Sequence, residues 1–215
     1  MELKENTDQN WVSGEILEED EVGLKQGPVV RVLNLIFDFL QSIALGGAFF
    51  IVVYLFIVQP HQVKGSSMFP TYKDKEYILT DKLSYKFRTP VRGEVIILKS
   101  PKNPDIDFIK RVIGLPGEKV RIENGVVYLN DAPFEESYLK VTTPLFPGGF
   151  MQEGMEVTVP DGNYFVMGDN RPGSSDSREF GFVPFENIIG RVIFRYFPIE
   201  RMGGITTPQY SALGK

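Results

Sequence analysis

Two adjacent serines, Ser66 and Ser67, lie in the stretch GSSMFPT (Gly65 to Thr71), directly after the one long apolar segment of the chain. A serine hydroxyl becomes a nucleophile only when a neighbouring base accepts its proton. The usual base is histidine, and the chain has one, His61. On an extended strand His61 and Ser67 would stand on the order of 20 Å apart, which disfavours a Ser-His-Asp triad. His61 reads instead as an interfacial residue at the end of the apolar helix. The other candidate base is a lysine kept neutral. An amine with a solution pKa of about 10.4 serves near neutrality only if burial disfavours its ammonium form. Lys110, in DFIKRVIGLPG, is flanked by Phe108, Ile109, Val112 and Ile113 and fits that requirement. Strand alternation sends Lys110 and Arg111 to opposite faces, one toward a cleft and one toward solvent. Lys99, in VIILKSP, competes from a strand end. For either lysine the plain alternative is a surface side chain with its stem on apolar neighbours.

A third cluster is GDNRPGSSDSR, Gly168 to Arg178. By itself it is a polar turn in which Asp169, Arg171, Asp176 and Arg178 can pair internally. It directly follows the apolar YFVM, and its density of charge and hydroxyls also suits an ordered shell supporting a site.

These residues need elements to position them. Of the 215 residues 42% are apolar and 13% aromatic, the composition of a folded protein. There is no cysteine, which excludes disulfides, thiolate catalysis and cysteine metal sites. A single histidine argues against a histidine-based metal centre. The net charge of −5 is localised: residues 1–28 hold eight acids and two bases, and the other 187 sum to about +1. With no basic face, nucleic acid is not an expected partner. Residues 1–28 read as an acidic mobile tail.

From Ile43 to Val58 the only polar side-chain group is the Tyr54 hydroxyl. The preceding VVRVLNLIFDFLQS places Asn34, Asp38 and Gln41 on one helical face. Residues 29–59 are therefore expected to form one transmembrane helix whose first half is amphipathic. Lys25 and Arg31 before the span and Lys64, Lys73 and Lys75 after it leave the charge count indecisive about orientation. Beyond Pro60 come short runs rich in Val, Ile, Tyr and Phe, divided by Gly, Pro, Asn and Asp. Asn124-Gly125 between two such runs predicts a hairpin. VPFENIIG is the one expected helical turn, and residues 141–156 read as a long loop that either covers the core or dips into the membrane surface. The expected fold class is an all-β catalytic domain over residues 60–200, of folded, partly barrel-like antiparallel sheets, with one N-terminal transmembrane helix and a C-terminal tail over 201–215.

Taken in order, the helix, SSMFPT, FIKRVIGLPG, GDNRPGSSDSR and GFVPFENIIGRV closely resemble the bacterial type I signal peptidases, the membrane-bound leader peptidases. The similarity runs from about Pro60 to Pro198. The resemblance implies a serine endopeptidase that removes N-terminal signal peptides from exported preproteins, with no cofactor and no metal. It implies Ser67 as nucleophile, Lys110 as general base, and Ser174 as a hydroxyl that holds the lysine amine. Asp169, Asn170, Arg171, Asp176 and Arg178 would support the site. Val63, Met68, Phe108 and Ile109 are candidates for substrate pockets that admit small side chains. The implied partners are preproteins with small residues at the cleavage site, the lipid bilayer and the secretion machinery. The implied location is the bacterial plasma membrane, single-pass, with the catalytic domain on the extracytoplasmic side. Many Gram-negative members of the family have a serine two residues before the nucleophile that contributes to the oxyanion hole; here that residue is Gly65. Two rival readings are another Ser/Lys protease on a related β-fold and a catalytically silent membrane-anchored binding domain. A wide gap between Ser67 and Lys110 would favour the silent domain.

Overall fold

The computed structural model describes residues 27–136, 138–139, 141–208 and 210. The expected acidic tail falls almost wholly outside these residues, as do 209 and 211–215 of the C-terminal tail. The chain separates into two units, one ending at Gly46 and one beginning at Gly47.

Helix α1 spans Pro28–Phe56, and none of its side chains is buried. At 1.5 Å per residue its 29 residues extend about 43 Å, and from Phe39 to Val58 no side chain is charged. An apolar helix with every face exposed suits lipid on all sides. It ends sooner than the sequence suggested, because Val58–Gln62 is already strand β1.

The remaining strands are β2 (Tyr77–Asp81), β3 (Val95–Lys99), β4 (Asp107–Gly114), β5 (Lys119–Glu123), β6 (Val126–Leu129), β7 (Ala132–Pro133), β8 (Glu156–Thr158), β9 (Asn163–Met167), β10 (Val183–Pro184), β11 (Ile188–Phe197) and β12 (Gly203–Gly204). All pairings are antiparallel. The larger sheet runs β1-β2-β11-β3-β4-β9-β10, with β12 added to β11, and the smaller runs β7-β6-β5-β8. The fold class is thus the expected one, antiparallel sheets behind one apolar helix. The two-residue turn Asn124-Gly125 closes the β5–β6 hairpin as its sequence required.

Strand β3 shows why the core sits where it does. Its continuous VIIL is buried on both faces. Val95 and Ile97 join a cluster with Val63, Met68, Tyr72, Ile78 and Ile109. Ile96 and Leu98 join another with Tyr85, Val112, Tyr164 and Val166. A third cluster lies between the smaller sheet (Val120, Ile122, Val127, Leu129) and Ile113, Phe165 and Met167. The 141–156 loop covers that cluster: Met151 is buried in it, and Leu145 and Phe150 pack against it.

Helical turns are more numerous than expected. Besides Phe185–Asn187 within VPFENIIG, a one-turn helix α2 forms over Ser177–Phe180. The reason is local: Asp176 accepts from the Arg178 N–H and caps the turn. Read only as a polar loop, this segment concealed its own N-cap.

Candidate active site

The Ser66–Ser67 pair sits on the turn that follows β1. Four bonds fix the turn. Gly65 N–H donates to Asp74 at 2.8 Å, Phe69 N–H to the Ser66 carbonyl at 3.0 Å, and Tyr72 N–H to the Met68 carbonyl at 2.8 Å. Arg195 donates to the Thr71 carbonyl at 3.0 Å. Gly65 has φ +84°, a backbone region that side chains with a Cβ rarely adopt. Asn170 clamps the pair from the other side: its N–H donates to the Ser67 carbonyl at 3.0 Å and its side-chain amide to the Ser66 carbonyl at 3.1 Å. Gly168 makes this approach possible. A Cβ there would collide with the Ser67 carbonyl and the Ser174 hydroxyl.

Lys110 reaches the same point from β4, where the register sets it opposite Ile96 and its neighbour Ile109 opposite Ile97. The residue is 3% exposed. Its Nζ lies 3.0 Å from Ser67 Oγ and 4.9 Å from the Phe108 ring centroid. Burial pulls its pKa down to about 8; Asp176 and Asp169 oppose the drop, and Arg178 adds to it. Lys99, the competing lysine, is exposed at the end of β3. The Ser67 N–H has no hydrogen-bond partner among the described residues. One hydroxyl, one amine that burial makes easier to deprotonate, and one unused N–H beside them are the parts needed to activate an alcohol and stabilise an oxyanion.

Around this pair the charges are saturated. Arg111, expected to meet solvent, is buried instead. It donates to Asp169 through Nε at 2.8 Å and through a terminal nitrogen at 2.6 Å, and to the Gly93 carbonyl at 2.8 Å. The alternation held, but β9 packs along β4 and covers the second face as well. Asp169 also accepts from Thr71 at 2.6 Å, tying β4 to the serine turn. Asp176 and Arg178 pair within the loop at 2.7 Å, and Asp176 accepts the Gly168 N–H at 3.0 Å. Arg171 turns outward from the loop to Glu136, at 2.6 Å for the longer of two contacts, and to Thr143 at 2.7 Å. Glu136, Thr143 and Thr71 were not legible as site residues, because their partners are 35, 28 and 98 positions away.

Three expectations change. Ser174 is buried, but its hydroxyl has no hydrogen-bond partner among the described residues and does not hold the Lys110 amine in this structure. Met68 packs in the core with Val63 and Ile109 rather than lining the cleft, because the turn folds its side chain inward. His61, expected as an interfacial residue at the end of the helix, belongs to strand β1 beyond it. It lines the cleft from β1, with Nδ1 2.9 Å from the Thr80 hydroxyl and Nε2 3.5 Å from Asp107. Burial lowers its pKa, against the opposing pull of Asp107.

The cleft, of about 690 Å³, runs between β1 and the start of β4. Its walls include Val63, Phe108 and Ile109, and Ser67 and Lys110 both open onto it. Strand β1 lies at the sheet edge.

A family model described as signal peptidase, peptidase S26, matches residues 36–197. The chain belongs to this signal peptidase family. A probable signal peptidase I-1 of Synechocystis is 39% identical over 69% of this chain and 76% of its own length. A signal peptidase I of Leptolyngbya laminosa is 36% identical over 79% and 83%. Signal peptidase IB of Staphylococcus aureus (strain COL) is 36% identical over 77% and 91%. Membership makes the chain a serine endopeptidase that removes signal peptides from exported preproteins, and with the apolar α1 it is a membrane-anchored one. The silent binding domain is thereby set aside.

Proposed function

We propose that cleavage proceeds through a Ser67 nucleophile and a Lys110 general base. The observation that carries this reading is the 3.0 Å separation of Oγ and Nζ inside the cleft. Neutral Nζ takes the Ser67 proton as Oγ bonds to the scissile carbonyl carbon. The Ser67 N–H receives the oxyanion, a donor worth about 3–4 kcal/mol in comparable sites. Collapse breaks the C–N bond, and the ammonium returns its proton to the leaving amine. Water, deprotonated by the same amine, then releases the acyl group from Oγ.

Asp169, Asn170, Arg171, Asp176 and Arg178 act as positioning residues that hold β4, the serine turn and Gly168 in register. The preprotein enters extended and adds to the free edge of β1, with small residues beside the scissile bond facing Val63, Phe108 and Ile109. The catalytic domain stands on the extracytoplasmic side of the plasma membrane, where translocated preproteins emerge from the secretion machinery. Gly65 leaves the Ser67 N–H as the main oxyanion donor.

The test is cleavage of a purified preprotein by the detergent-solubilised full chain. Ser67→Ala and Lys110→Ala each lose processing, while Ser66→Ala retains it. Full activity in Lys110→Ala sinks the dyad.

A further inference from the structure

The segment after β2 carries a surface that the reaction does not use. Asp81 accepts the N–H groups of Leu83 at 2.9 Å and Ser84 at 3.0 Å, and a single turn over Ser84–Lys86 returns the chain to the end of α1. There Lys82 donates its backbone N–H to the Ile57 carbonyl at 2.9 Å. Its Nζ donates to the Leu55 carbonyl at 2.9 Å and to Gln59 at 3.3 Å. A cation among the last carbonyls of a helix is well placed against its dipole. Lys86 Nζ stands 5.6 Å from the Phe56 ring centroid. The next residue, Phe87, is 82% exposed, more than any large apolar side chain of α1 itself.

The neighbouring charges are already spent. Arg88 pairs with Glu94 and Asp81 with Arg191. Lys82 and Lys86 form no ion pair among the described residues. Two uncompensated ammonium groups and one exposed ring are therefore fixed against the last turn of α1. The apolar run ends at Val58, before Gln59, so groups touching Leu55 and Phe56 stand where the helix leaves the hydrocarbon. Lysine stems and an aromatic ring are the composition of that boundary, and each lysine near an anionic surface favours it roughly fivefold.

We propose that Lys82, Lys86 and Phe87 form a collar that seats the catalytic domain on anionic phospholipid headgroups. Phe87 enters the headgroup boundary, and the two ammonium groups engage lipid phosphates. This rests on α1 as the membrane anchor. Because β1 leads from the end of α1 into the cleft, the collar fixes the height of Ser67 above the bilayer.

The chain has no cysteine, so Phe87→Cys gives a unique site for an environment-sensitive fluorophore. The full chain is reconstituted into zwitterionic vesicles with and without anionic phospholipid. The expected result is a blue-shifted emission, quenched by lipids spin-labelled at headgroup depth, with quenching that rises when anionic lipid is added. In the labelled chain, Lys86→Gln weakens that rise by roughly fivefold, and adding Lys82→Gln removes it. Both variants still cleave a short soluble peptide at the parent rate, which shows that they are folded. A label that stays water-exposed in both vesicles, while α1 resists alkaline extraction, overturns the collar and leaves the anchor intact. Loss of the chain to alkaline extraction overturns both. Shielding that appears only when translocation proteins are added overturns the lipid assignment and points to a protein partner.

Discussion

The serine turn with Lys110 and the 168–178 loop touch one another, yet they treat buried charges in opposite ways. In the loop, Arg178 is fully buried and bonds to Asp176 and to the carbonyls of Pro144, Arg171 and Ser174. Arg111, one residue from Lys110, meets Asp169 through two nitrogens. Beside them, among the described residues, the Lys110 amine has a single hydrogen-bond partner, Ser67 Oγ, and the Ser67 N–H has none. Buried charges are tolerated when their bonds are complete. The fold completes them everywhere around the dyad and leaves the dyad itself short. Burial lowers the lysine pKa, with no carboxylate bonded to the amine to restore it, and the turn leaves an N–H for the oxyanion.

Substitutions on the two sides should therefore diverge. The largest effect belongs to Lys110→Met, which should lower kcat/KM for preprotein cleavage by at least about 10³-fold, since it removes the base. The same change should raise stability. Folding depresses the Lys110 pKa from 10.5 to about 8, so the folded state resists the charged form. That penalty, about 3 kcal/mol by the shift, is fully present below pH 8 and fades as the pH rises toward 10.5. Lys110→Met should thus shift the denaturant midpoint upward at pH 7, and a fall would break the contrast.

Asp169→Asn should do the reverse. It strands buried Arg111 and should cost about 3–5 kcal/mol in the same denaturation, with activity lost through unfolding. A smaller effect is expected for Gly65→Ser. Its φ of +84° makes a side chain costly by about 1 kcal/mol, and the added hydroxyl should not raise kcat. A clear gain in kcat would show that the oxyanion hole does have room for a second donor on this turn. Least of all, Ser66→Ala should leave both stability and kcat/KM within about twofold, because Asn170 holds Ser66 through its carbonyl rather than its hydroxyl.

Much of this contrast was legible in the chain, for local reasons. The uncharged run over 39–58 marks α1 and Asn124-Gly125 marks the β5–β6 hairpin, while the apolar residues on both sides of Lys110 made it a candidate base without separating it from a surface lysine. The resemblance to the family pattern S-M-x-P-T implied Ser67 rather than Ser66. What stayed hidden depends on contacts far apart in sequence. The burial of Arg111 requires β9, the anchoring of Arg171 requires Glu136, and His61 reaches Asp107 only because β1 and β4 face one another across the cleft. The unpartnered state of the Ser174 hydroxyl is a matter of side-chain geometry, which no motif encodes.

The central claim is that a lysine whose pKa is lowered by burial drives the reaction in its neutral form, and the pH dependence of kcat/KM tests it most directly. Because the neutral amine is the active form, kcat/KM should climb about tenfold per pH unit below pH 8 and level off above it, with one ionisation near the value of about 8 set by burial of Lys110. A profile that keeps rising toward the ordinary lysine range near pH 10.5, or one flat from pH 6 to 9, would contradict the account.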